Sequence, residues 1–140
     1  MKKNEIPTSG LAISTSYRAD KSEGEFLIRD ISNGDVLIHE RFSNIKTSDN
    51  VLGLIGICRA CQYSVEQDFI GKVYTRNMAS FNWAINKRYK TKVSSAKITK
   101  LLEDNMPTLS LHDFEDVIAL WNPNWGNMSY VLNSIALNSI

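Results

Sequence analysis

Cys58 and Cys61 form a Cys-x-x-Cys pair, a spacing found in thiol redox centres and in half of a zinc site. A structural zinc needs a second pair of ligands, and these are the only two cysteines in the chain. Both fall in the middle of a predicted helix, away from its exposed start, so core packing is the expected role. His39 lies in a predicted strand and His112 in a loop, with no nucleophile patterned beside either, so no catalytic triad is expected. Asp20, Glu23 and Glu25 lie in or beside the first hairpin and Asp49 opens a helix; turn chemistry accounts for Asp20 and Glu23, and capping for Asp49. The segment 87–100 is different. It carries Lys87, Arg88, Lys90, Lys92, Lys97 and Lys100 without one acid, with Tyr89 interleaved and Trp83 one helical turn earlier. Cations neutralise phosphates and aromatics lie against sugars or bases, which makes these residues a candidate nucleic-acid face; a solvated helix end and loop is the plainer alternative.

The elements that must position these residues follow from periodicity. Leu11–Tyr17 and Glu25–Ile31 are short apolar or alternating runs, and Asn33-Gly34 separates the second from Asp35–Phe42, where Val36, Ile38, Glu40 and Phe42 share a face. Asn-Gly between such runs predicts a tight hairpin. Ser48 or Asp49 can cap a helix running to about Val65, with Leu54, Ile55, Cys58, Cys61 and Val65 at helical spacing. Gly53, Gly56 and Ala60 form a small-residue strip on it. Each interior glycine costs about 1 kcal/mol against alanine, so something must come close: another backbone of the domain, or a partner segment. Lys72–Thr75 reads as a strand, Ala79–Arg88 and Ser95–Asn105 as helices, Met106-Pro107 as a stop, and Phe114–Trp121 as the last strand.

A chain of 140 residues with 43% hydrophobic content fits one domain able to bury most of its apolar surface. No basic start leads into an apolar signal core, and the uncharged tract from Val117 to Ile140 is too broken by Asn, Ser and Pro123 to span a bilayer. A soluble, cytoplasmic protein with no membrane contact is expected. Net charge is only +1, but no Lys or Arg follows Lys100, so the basic residues are concentrated. The expected protein-partner face lies elsewhere: in a helix after Asn127, Met128, Val131, Leu132 and Ile135 form one apolar face for the sheet, while Tyr130, Leu137 and Ile140 lie off it. A charge-free helix with apolar residues on two sides points to a protein partner or a second copy of the chain.

Four stretches together resemble the bacterial ribonuclease H family: Leu11-Ala12-Ile13 followed by Ser14-Thr15-Ser16; Ser48-Asp49-Asn50 with Gly53; Tyr74-Thr75-Arg76-Asn77; and Trp125-Gly126-Asn127 through Val131. Asn82 to Lys92 is similar to the family's basic helix end and loop. The resemblance runs over roughly Gly10 to Val131. It implies an α/β fold with a mixed sheet, three antiparallel strands followed by parallel strands, and flanking helices, with 1–9 as a tail and 10–140 as one ribonuclease H-like domain.

The same resemblance places the family's metal-binding carboxylates at Ser14, Gly53, Arg76 and Val131, and none is a carboxylate here. Two-metal nucleases hold the attacking water and the leaving oxygen between divalent cations, and Mg²⁺ requires hard oxygen ligands. Ser14 offers a hydroxyl, Gly53 and Val131 nothing. Arg76 places a permanent positive charge where the cations would sit, which at ~4 Å and an effective dielectric of ~20 opposes a divalent ion by several kcal/mol. No metal or cofactor is expected. The leading expectation is a catalytically inactive ribonuclease H-like protein, binding RNA or an RNA/DNA hybrid or serving as a structural subunit of a larger assembly. Two alternatives stand beside it: a pure protein-interaction module, as in a ribonucleoprotein or phage particle, and an active nuclease whose ligands have moved to nearby acids.

Overall fold

The computed structural model describes residues 5–91 and 95–139. Three strands open the fold: β1 (Leu11–Arg18), β2 (Glu23–Asp30) and β3 (Val36–Phe42). Alternation sorts their side chains. Leu11 and Ile13 of β1 and Phe26 and Ile28 of β2 are buried on the main core side, while Ala12 faces a smaller cluster with Ile31, Trp121, Met128 and Leu132. Helix α1 (Asp49–Glu66) crosses the first face and leads to β4 (Val73–Thr75). Then come α2 (Met78–Asn86), α3 (Ala96–Asn105), the short α4 (Thr108–Leu111), β5 (Ile118–Leu120), a 3₁₀ turn at Pro123–Trp125, and α5 (Met128–Asn138).

The sheet has the order β3-β2-β1-β4-β5. β1 runs antiparallel to β2 and β2 to β3, whereas β1–β4 and β4–β5 are parallel. This is the mixed sheet of a ribonuclease H-like fold. Helix α1 packs on one side of it, and α5 closes the other through Met128 and Leu132. No helix among the described residues is long and apolar enough to cross a membrane.

Several boundaries differ from those read in the sequence. Asn33-Gly34 does not make a two-residue hairpin; the β2–β3 connection spans 31–35, closed by Gly34 N–H on the Asp30 carbonyl (2.7 Å) and Asp30 N–H on the Asp35 carbonyl (2.9 Å). Gly34 takes φ +77°, and a Cβ there would lie 2.7 Å from the Leu132 carbonyl oxygen and 2.8 Å from Ala136 N, so α5 rests directly on this loop. Met106-Pro107 does end α3, at Asn105 as expected; the short α4 that follows is additional, and Pro107, which needs no N–H, stands at its head. The expected last strand from Phe114 to Trp121 shrinks to Ile118–Leu120: Phe114 is buried, but its carbonyl accepts from Val117 and Ile118 N–H in a turn. Val36, expected on one face with Ile38, Glu40 and Phe42, is 49% exposed, because the β2–β3 register shifts between Ile28 and Arg29: Ile38 stands opposite Ile28, but Val36 stands opposite Arg29 and so leaves that face.

Cys58 and Cys61 are both fully buried in α1, as core packing required. Burial raises both thiols, Cys58 to about 12, so neither is a thiolate at neutral pH. His39 sits on β3 with its Nε2 2.9 Å from Glu25, which also receives Arg41 at 3.2 Å; His112 is exposed beside Phe114.

Candidate functional site

Parallel pairing of β1 with β4 places Ile13 opposite Thr75, so Arg76 leaves the sheet at the C-terminal end of β4 at the level of Ser14, which stays within β1. In open α/β sheets this edge is where ligands bind. Ser14 is half-buried and paired through its backbone with Leu27 of β2. Arg76 is exposed and enters no ion pair among the described residues.

The other two positions come from the flanking helices. Ser48 caps α1, its Oγ accepting from Val51 N–H at 3.2 Å, and Asp49 is therefore the first residue of the helix. One turn on, Gly53 is buried against Ser80 of α2. A Cβ at 53 would run into the Ser80 hydroxyl and lie 3.1 Å from Ser80 Cβ. Ser80 is held there on two sides: its Oγ donates to the Asn50 carbonyl (2.6 Å), and its N–H donates to Asn77 Oδ1 (2.9 Å). Asn77, the cap of α2, reaches back to Asn50 Oδ1 at 2.8 Å. Val131, on α5, packs with the smaller core cluster.

The strip of Gly53, Gly56 and Ala60 is thus filled from within the domain. A Cβ at Gly56 would meet Ile13 Cγ2 at 2.8 Å and Phe26 at 3.5 Å. The expectation that a partner segment lies along it is overturned, and the close neighbours are side chains where a backbone was expected. A glycine in a helix signals a close neighbour, but which neighbour depends on the α1–α2 docking, which no local pattern encodes.

These four positions do not fit a pair of divalent cations. They supply a hydroxyl, a closed-off glycine, a guanidinium and an alkyl group, where hard anionic oxygens are needed. Among the described residues no three His, Cys, Asp or Glu side chains gather as a metal site. Of the nearby acids, Asp20 and Glu23 are exposed at the β1–β2 turn, and Glu25 is bound to His39 and Arg41. Hydrogen bonding from His39 holds the Glu25 carboxyl below its ordinary range against the opposing effect of burial. Asp49 alone faces the strand ends, in a cleft of about 210 Å³ with Ile13, Thr15, Thr75, Arg76 and Asn77.

The basic segment begins where α2 ends. Lys87 takes the left-handed conformation (φ 59°) at the C-cap, and its N–H and that of Arg88 return to the Ala84 and Trp83 carbonyls. A non-glycine residue in this conformation costs roughly 1–2 kcal/mol. It turns the chain so that Arg88, Tyr89 and Lys90 fold beside Trp83 and Asn86, around an open groove of about 400 Å³. Trp83 and Tyr89 also pack on the main core, which fixes the aromatic walls, while Lys87, Arg88 and Lys90 are exposed. Lys97 and Lys100 belong to α3: Lys97 Nζ lies 6.0 Å from the Phe42 ring centre, and Lys100 pairs with Asp104 at 3.3 Å. The basic residues are thus divided between a groove and a helix, and Lys92 lies outside the described residues.

On α5, Tyr130 and Leu137 are 77% and 72% exposed. They stand seven residues apart, two turns along the same side. Beside them Ile6, Pro7, Ile31, Val131 and Ile135 line an apolar groove of about 470 Å³. Ile140 lies outside the described residues.

No protein-family model matches the chain, and no curated protein matches it. Among solved structures it is similar to the N-terminal RNase H domain of Rv2228c from Mycobacterium tuberculosis, determined as a fusion with maltose-binding protein. The two are 13% identical over 94% of this chain and 99% of that one, with a TM-score of 0.47. The strand order and directions define the class: a ribonuclease H-like α/β fold.

Proposed function

We propose that this chain is a ribonuclease H-like protein without nuclease activity, which binds RNA or an RNA/DNA hybrid as a subunit of a larger assembly. The observation that carries the reading is Ser80. It fills the space into which a side chain at position 53 would have to grow, beside strand ends that carry Arg76 in place of an acid. The groove of Trp83, Arg88, Tyr89 and Lys90 supports nucleic-acid binding, since it joins exposed cations to aromatic walls packed on the core. The test is binding of the purified chain to a hybrid across a salt series, in EDTA and then in Mg²⁺. Binding that weakens with salt, ignores the metal and leaves the RNA strand intact is the expected result. Cleavage would favour the alternative in which Asp49 and other acids rebuild a metal site.

A second reading, a pure protein-interaction module, is favoured by Tyr130 and Leu137 on α5. Neither contributes to the intramolecular cores. Tyr130→Lys with Leu137→Lys is therefore expected to leave the melting temperature within a few degrees of wild type while weakening self-association or recovery of native partners, read by light scattering and co-purification. Loss of folding would make this side of α5 part of the core. Unchanged association would place the interface elsewhere.

A further inference from the structure

The cleft at the C-terminal end of β4, against the middle of β1, combines a cation and hydroxyl groups. Arg76 has no ion pair among the described residues, even though Asp49 lines the same cleft, so its guanidinium remains available. Thr75 is buried at the floor of the cleft, its hydroxyl oxygen accepting from Asn77 N–H at 3.1 Å, and half-buried Thr15 brings a second hydroxyl from the neighbouring strand. A planar guanidinium matches two oxygens of one phosphate, with hydroxyls as supplementary donors. From this we infer that Arg76 binds a backbone phosphate of a nucleic-acid strand directly, at the place where a metal-dependent nuclease would hold it through cations.

Charge along the chain supports the same site. Between Asp68 and Glu103 there is no acid, and the basic residues in that interval are Lys72, Arg76, Lys87, Arg88, Lys90, Lys92, Lys97 and Lys100. Helix α2 lies within it, with Arg76 just before its first turn and Arg88 just after its last. Its nine residues span about 13 Å at ~1.5 Å each. With ~3.4 Å of duplex axis per phosphate of one strand, α2 laid along that axis would cover about four phosphates between the Arg76 cleft and the Arg88 groove. Asp49 opposes an anion in the cleft, and its place in the first turn of α1 has a separate cause, the favourable interaction of a carboxylate with a helix N-terminus. The inference rests on the nucleic-acid reading above and adds a contact to it.

The experiment measures binding of a short RNA/DNA hybrid by fluorescence anisotropy in EDTA across a salt series. Arg76→Ala is expected to weaken binding roughly 10-fold at low salt, and losing one phosphate contact should flatten the log–log salt slope by about 0.9. Arg76→Lys should restore the slope without the full affinity, because Lys keeps the charge and loses the fork. Asp49→Asn should tighten binding. A hybrid with a 5′-phosphate should bind no better than one without it. Equal melting temperatures for wild type and variants exclude loss of fold as the cause. Unchanged affinity and slope in Arg76→Ala, while substitution of Lys87, Arg88, Lys90 and Lys92 still weakens binding, would overturn this contact and leave the nucleic-acid reading standing; no binding by wild type would overturn both. Wild-type binding that is stronger in Mg²⁺ than in EDTA and is weakened by Asp49→Asn would mean that a cation occupies the cleft and overturn the direct contact, and dependence on the 5′-phosphate would rule out a backbone contact.

Discussion

Gly53→Glu, which puts a carboxylate at the helix position where the sequence resemblance places one, is expected to destabilise the protein by about 3 kcal/mol or more. Overpacking a filled site typically costs ~1–3 kcal/mol, and a Glu confined there adds the cost of burying a charge without a partner. The contact that opposes it is firm: a Cβ alone would lie 3.1 Å from Ser80 Cβ and collide with the hydroxyl, while Ser80 is tied to Asn50 and Asn77. Gly53→Ala is expected to show the same sign at smaller size, about 1 kcal/mol, even though alanine favours a helix by ~1 kcal/mol over glycine. Thermal or urea unfolding measures both. Adding Ser80→Gly should recover much of the loss from Gly53→Ala, so the two changes will not be additive. A Gly53→Glu protein as stable as wild type would mean that position 53 has room for a ligand after all.

The second large effect is expected at the groove beyond α2. If Lys87, Arg88, Lys90 and Lys92 touch phosphates, replacing all four by Gln should flatten the salt dependence of hybrid binding by roughly three units, at about 0.9 per contact. Binding at low salt should fall by several orders of magnitude, because the loss compounds over four charges. An unchanged slope would move the function to protein contacts. The aromatic walls separate charge from stacking: Trp83 packs on the core, so its substitution would confuse folding with binding, and the exposed cations are the cleaner probe.

The sheet was readable because its strands obey local rules. Alternation in β1 and β2 and the capped apolar run of α1 carry their own boundaries to within a residue or two. Where tertiary contact decides, the pattern fails. Asn33-Gly34 looks like a tight hairpin, but Gly34 serves the docking of α5, and the loop lengthens around it. Phe114 looks like the start of a strand because it is apolar, and it is an anchor ahead of a turn. At the site, Arg76 and the basic residues could be picked out by type. Ser80 could not: a serine three residues after a capping asparagine looks like ordinary helix-start chemistry, and its position over Gly53 exists only once α1 and α2 pack together. The division of the basic segment was likewise hidden, since it depends on the left-handed turn at Lys87, a conformation usually signalled by glycine.

The most direct test of the central claim is a cleavage assay on an RNA/DNA hybrid with purified wild-type protein in Mg²⁺ and in Mn²⁺, run beside melting curves in the same buffers. With Ser14, Gly53, Arg76 and Val131 at the four positions, the RNA strand should remain intact and neither metal should raise the melting temperature, since a ligand that binds only the folded state must stabilise it. Metal-dependent cleavage that disappears in Asp49→Ala or Asp20→Ala would contradict the account and identify an active nuclease with relocated ligands.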